Sequence, residues 1–162
     1  MNEQQQKSPW IVNTTDQAFM EDVIERSKQV PVVLDFWATW CQPCRMLGPV
    51  LEELAVEFDG KFVLVKADGD HCPVATSQFN VQAFPTVFGL RDGEAVDYFE
   101  GLLPQDQLRA WIERLLPSEV DQLLAEAKQL ETQDASAAES KYRTAIELLP
   151  GEPGPQVALA EF

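Results

Sequence analysis

The sequence predicts an α/β fold, a central sheet covered by helices, followed by a C-terminal α-helical hairpin. Three observations carry that prediction. Val32, Val33, Leu34, Phe36 and Trp37 form an apolar run of the kind found in strands buried on both faces. The periodicity then changes, and Met46, Leu47, Val50, Leu51, Leu54 and Phe58 recur at helical spacing from Arg45 to Phe58. At Pro117-Ser118 a second break opens two further amphipathic stretches.

Taken in order, Met1 to Ser8 is polar and is read as a loose arm. Trp10-Ile11-Val12 is a short strand. Thr14 and Gln17 have the spacing of a capping box, ahead of a helix with Phe19, Val23 and Ile24 on one face. Pro31 ends that connection and opens the central strand. Asp59-Gly60 supplies a turn after the long helix, and Phe62 to Ala67 is a second buried strand. A short helix follows over Val74 to Phe79. Thr86 to Leu90 and Ala95 to Phe99 are strands joined through Arg91-Asp92-Gly93-Glu94, a hairpin signal. A helix from Gln105 to Leu116 places Leu108, Trp111, Ile112 and Leu115 on one face. The order is βαβαβαββα, which assigns 1–9 to the arm, 10–116 to the α/β domain and 117–162 to a helical segment. In that segment Ser118 is placed to cap a helix whose Leu123, Leu124, Ala127 and Leu130 share a face. Ala138, Tyr142, Ala145 and Leu149 form a second stripe, stopped by Pro150-Gly151, and Val157 to Phe162 reads as the start of a third helix.

The chemistry concentrates where the central strand meets the long helix. Cys41 and Cys44 lie two residues apart at that junction. Unpaired backbone N–H groups and the macrodipole of a helix start favour a thiolate at Cys41. Cys44 is one turn further on, close enough for a disulfide, and Pro43 is tolerated in a first turn. Asp35 is the one charged residue in the strand, so burial should raise its pKa. A zinc site on Cys41, Cys44, His71 and Cys72 competes with the redox reading. Adjacent His71 and Cys72 make poor joint ligands, however, and no second CxxC is present. Cys72 is read as a passive free cysteine and His71 as a surface loop residue.

Composition bounds the function. The 162 residues carry a formal charge of −15, and acidic residues outnumber basic ones on both sides of Leu116. Nucleic acid and anionic membranes are therefore not expected partners. The start, MNEQQQKSPW, lacks a basic n-region and an apolar h-region, and three cysteines make no secreted disulfide framework. The expected location is cytoplasmic.

The stretch VVLDFWATWCQPCRM resembles the active site of the thioredoxin family, and the likeness extends from about Trp10 to Leu116. Phe84-Pro85-Thr86 fits the family's cis-proline loop, and Gly93 and Gly101 match its glycines. The resemblance implies a thioredoxin fold with a mixed sheet and a redox-active Cys41–Cys44 disulfide, with Cys41 as nucleophile and no metal or bound cofactor. It implies that Asp35 helps deprotonate Cys44, that Lys66 pairs with Asp35, and that Pro85 faces Cys41. Trp40, Gln42, Pro43, Phe84, Pro85 and Gly101 would form the client-binding surface. Gln42 departs from the glycine of the commonest motif, which bears on redox poise.

The spacing Ala138, Tyr142, Ala145, Pro150 resembles the second helix of a tetratricopeptide repeat, although Glu126 falls where that repeat has a small residue. One such repeat cannot bury its own faces, so the repeat array is expected to be truncated here. A thioredoxin domain followed by such repeats resembles the chaperedoxins, bacterial co-chaperones that hold unfolding clients and pass them to the chaperonin. The expected function is thiol–disulfide oxidoreductase of protein clients coupled to a holdase role. A thioredoxin-reductase-type electron donor and chaperonin are the expected partners. Two alternatives stand beside it: a redox-inactive or weakly active client-binding co-chaperone, and a general thioredoxin with an accessory helical tail.

Overall fold

The computed structural model describes residues 8–148 and residue 160. The chain divides into two compact units, Met1–Leu116 and Pro117–Phe162. The elements of the first unit are β1 (Ile11–Asn13), α1 (Met20–Lys28), β2 (Val32–Trp37), α2 (Gln42–Glu57), β3 (Val63–Asp68), α3 (Pro73–Gln78), β4 (Thr86–Arg91), β5 (Glu94–Glu100) and α4 (Gln105–Leu115). They follow the order read from the periodicity. The strands form one five-stranded mixed sheet in the order β1-β3-β2-β4-β5. β3 runs parallel to β1 and β2, while β4 runs antiparallel to β2 and β5.

Alternation along β2 sorts its side chains between two cores. Val33 packs with Leu47, Leu51 and Leu54 of α2 and with Leu108, Trp111 and Ile112 of α4. Val32, Leu34 and Phe36 face the other way, onto Phe19, Val23 and Ala75. The face assigned to α4 is buried as read: Leu108, Trp111, Ile112 and Leu115 all enter the first core. The Asp92-Gly93 hairpin has φ of 55° and 84°, the left-handed pair that a two-residue turn with matching twist requires.

Local details differ from the sequence reading. The Thr14–Gln17 capping box does not form. Thr14 is buried and donates to the Thr15 carbonyl, while Thr15 Oγ1 accepts from Ala18 N–H at 3.2 Å. The helix that follows starts as a wide π turn over Met20–Glu25 and tightens to a 3₁₀ turn over Arg26–Lys28. α2 begins three residues earlier than its apolar periodicity, because its first turn carries Gln42, Pro43 and Cys44. Met46, expected on the apolar stripe, is 57% exposed; Cys44, Gly48 and Ala55 complete the buried face instead.

In the second unit, Ser118 caps α5 (Glu119–Leu130) through a reciprocal box with Asp121, each bond 3.1 Å. α6 (Ala135–Leu148) starts beside Asp134, whose carboxylate accepts from Ala137 N–H. Ala127, Ala138, Tyr142 and Ala145 are buried, whereas Leu123, Leu124 and Leu130 are only half-buried; Val120 joins the buried set. Lys141 reaches Glu126 at 2.7 Å and the Tyr142 hydroxyl donates to Glu131 at 2.6 Å, two polar ties between the helices. The expected arm before Ser8, the Leu149-Pro150-Gly151 stop and the third helix from Val157 lie outside the described residues, Ala160 apart.

Two glycines give opposite expectations for the same substitution. Gly60 has φ +89°, and a Cβ there would stand 2.9 Å from the Trp10 ring. Gly48 is helical with no heavy atom within 4 Å of the corresponding position. Gly60→Ala should destabilise by about 1–3 kcal/mol and Gly48→Ala should stabilise by about 0.5–1 kcal/mol, read from denaturant midpoints.

Candidate functional site

β2 delivers the chain to the sheet end, and Ala38 to Trp40 turn it into α2. Cys41 is the N-cap of that helix, with extended backbone (φ −92°, ψ 112°). Its Sγ accepts from the Cys44 N–H at 3.2 Å, the place where a cap oxygen ordinarily sits. A sulfur held there sits at the positive end of the helix dipole and takes the Cys44 N–H, both of which favour negative charge. Cys41 and Cys44 form a disulfide with their Cα atoms 5.3 Å apart, and both are about 5% exposed.

The opposite wall comes from the loop before β4. The Phe84–Pro85 peptide bond is cis, and the Phe84 carbonyl oxygen lies 3.4 Å from Cys41 Sγ. Pro85 itself is buried, and its carbonyl accepts from Gly101 N–H at 2.9 Å, which ties the end of β5 to this loop. Gly101 adopts φ +80°. Trp40 stands 65% exposed beside the disulfide, its ring edge-on to Phe84 at 5.8 Å. Gln42 and Pro43 are exposed at the helix start. Trp37 is half-buried and packs on the two cysteines.

Several contributors escape the sequence reading. The indole N–H of Trp40 donates to Asp70 at 3.1 Å, and Gly69 N–H donates to the Trp37 carbonyl at 2.7 Å. A Cβ on Gly69 would meet the Phe84 ring at 2.3 Å, so only glycine leaves that ring its place. The loop Asp68–Asp70 thus props both aromatic walls. Arg45 clamps the turn through two bonds to the Thr39 carbonyl.

Asp35 is 1% exposed and its Oδ1 has no partner among the described residues. Burial pushes its pKa up to about 7; Lys66 opposes that shift and Glu52 adds to it. The expected Asp35–Lys66 pair is corrected in one respect. Lys66 is the register neighbour of Asp35, but its ammonium bonds Glu52 at 2.9 Å, leaving Asp35 only a through-space attraction. The Lys66 ammonium also lies 5.1 Å from the Trp37 ring centre.

Cys72 belongs to the other core, with Phe36 and Ala75, away from the Cys41–Cys44 cluster. Its Sγ lies 3.6 Å from the Thr14 carbonyl, and burial with Asp16 and Asp68 nearby pushes the thiol pKa up. That is the environment of an inert thiol. His71 is exposed, with Nδ1 2.9 Å from Asp68. Among the described residues no group of three or more His, Cys, Asp or Glu is gathered as a metal site.

The raised pKa of Asp35 has a definite sign for stability. The folded protein keeps a proton that the unfolded chain, with an ordinary value of 3.8, releases. Stability therefore falls as pH rises from about 4 to about 7, and the penalty is complete above that. Asp35→Asn should stabilise the fold by up to about 4 kcal/mol at pH 8 and by little at pH 4, measured by urea unfolding at the two pH values.

Comparison with known proteins agrees with this geometry. A sequence model of the thioredoxin family matches residues 10–114. Thioredoxin C-2 of Corynebacterium nephridii is 41% identical over 107 residues, 66% of this chain and 97% of that protein. The thioredoxin of Staphylococcus haemolyticus is 42% identical over 106 residues, 65% of this chain and 98% of its own. Thioredoxin 1 of a Nostoc species is 38% identical over 102 residues, 63% of this chain and 94% of its own. With residues 10–114 matched in this way, the chain belongs to the thioredoxin family and is a protein-disulfide reductase of that type.

Proposed function

We propose that the chain reduces disulfides of protein clients through Cys41 and Cys44, and that the segment after Leu116 adds a co-chaperone, holdase role. The observation that supports the chemistry best is the seat of Cys41 at a helix N-cap, facing the Phe84 carbonyl. In the dithiol form, the Cys41 thiolate attacks one sulfur of a client disulfide and the other client sulfur leaves as thiolate. Cys44 then gives its proton to Asp35 and attacks Cys41 Sγ. The first client sulfur is released and the Cys41–Cys44 disulfide forms. Two electrons have passed to the client, and a thioredoxin-reductase-type donor restores the dithiol.

Trp40, Gln42, Pro43, Phe84, Pro85 and Gly101 would receive the client. The exposed indole and the exposed first turn give an extended segment a surface to lie on beside the sulfur.

For the tail, the resemblance to tetratricopeptide and chaperedoxin sequences is supported by Ala138, Tyr142 and Ala145 being buried while Leu123, Leu124 and Leu130 stay half-exposed. Apolar surface is worth ~25 cal/mol per Å² on burial, so a few such side chains give a client or the chaperonin something to bind.

Cys41→Ser should abolish reduction of insulin disulfides, while Cys44→Ser should accumulate a mixed disulfide through Cys41, seen by non-reducing mass spectrometry. Full activity in Cys41→Ser would remove the mechanism. The full chain should suppress light scattering by a heat-unfolded client and retain chaperonin in a pull-down. Residues 1–116 alone should keep reductase activity and lose both effects. Equal protection by the shorter chain would place holding outside the tail, and no protection by either would leave a general thioredoxin with an accessory tail. Protection that persists in a chain without reductase activity would favour the client-binding reading.

A further inference from the structure

Asp35, Lys66 and Glu52 form a cluster that no thiol chemistry by itself demands. β2 alternation puts Asp35 on the same sheet face as Val33, the face that α2 covers, and Lys66 shares it through Leu64. Glu52 comes from α2, eight residues after Cys44, so it lies about 12 Å further along the same side of that helix. The Lys66 ammonium and the Glu52 carboxylate are largely shielded, their side chains 18% and 13% exposed, and they meet at 2.9 Å. Lys66 and Glu52 are the two charges acting on Asp35; its neighbour in register on β4 is the uncharged Val87.

We propose that Glu52 is a positioning residue of the exchange site: by holding the Lys66 ammonium it withholds a counter-ion from Asp35, and so sets the pH at which Asp35 exchanges a proton. While Lys66 and Glu52 neutralise each other, an ionised Asp35 has no compensation in a dry site, and it retains its proton to near-neutral pH. Without the Glu52 carboxylate the ammonium loses its 2.9 Å partner and is free to turn toward its register neighbour Asp35, whose carboxyl then ionises at lower pH. A carboxylate that ionises lower is a weaker base for the Cys44 thiol. One helix thus carries the second cysteine and, two turns on, the group that tunes its proton acceptor.

The inference rests on the proposed role of Asp35 in exchange, but its test does not. The full chain in its disulfide form is labelled at the Asp35 carboxyl carbon and titrated by NMR. Glu52→Gln should lower the Asp35 midpoint by about one pH unit, and Lys66→Gln should raise it. In the Lys66→Gln background, the shift caused by Glu52→Gln should shrink to less than half. An unchanged midpoint in Glu52→Gln overturns the proposal, as does an equal shift in both backgrounds, which would mean Glu52 acts on Asp35 directly. In insulin reduction, the acid limb of the wild-type pH profile should move with the midpoint. Loss of that link with the titration intact would count against Asp35 as the base and leave the control by Glu52 standing.

Discussion

The central strand β2 is hydrogen-bonded on both sides, to β3 in parallel and to β4 in antiparallel, and buried on both faces. That strand is anchored by so many contacts that the residues leaving its end have little freedom. Ala38 is fully buried, Arg45 clamps the Thr39 carbonyl, and the helix begins at Cys41. The position of the reactive sulfur therefore follows from the packing of a strand several residues away. The strand end and helix start fix the cysteines, and the loops carrying Phe84 and Asp70 complete the walls around them.

The same burial explains why the site contains a strained element. Asp35 occupies the strand that can least accommodate a charge, and its Oδ1 has no hydrogen-bond partner among the described residues. An aliphatic residue there would satisfy the core better. Burial raises its proton affinity, Lys66 lowers it, and Glu52, which bonds Lys66, raises it again. Stability and proton affinity are then two readings of one free energy.

The second unit is organised by a different compromise. Small residues, Ala127, Ala138 and Ala145, let α5 and α6 approach, and the polar ties Lys141–Glu126 and Tyr142–Glu131 flank that contact. Glu126, which looked out of place for a repeat, is one end of an ion pair between the helices. Larger apolar side chains on α5 are left half-covered, since two short helices have too little facing surface to hide them.

What the residues alone determined were the features written in short-range chemistry. The apolar run of β2, the turn glycines at Gly60 and Gly93, the α4 stripe and the CxxC junction are each legible because one local periodicity or one backbone requirement dictates them. The resemblance added Pro85 and Gly101, which no local rule singles out. Tertiary structure decided the rest. Thr15 rather than Thr14 accepts a backbone N–H, that of Ala18 in the turn before α1, while Thr14 is buried; Met46 is exposed, and Cys44, Gly48 and Ala55 lie on the buried face of α2. Above all, Lys66 reaches Glu52 instead of Asp35. Residues 35, 52 and 66 lie on three different elements, and which charge finds which partner depends on how α2 crosses the sheet, a distance in space that no spacing along the chain encodes.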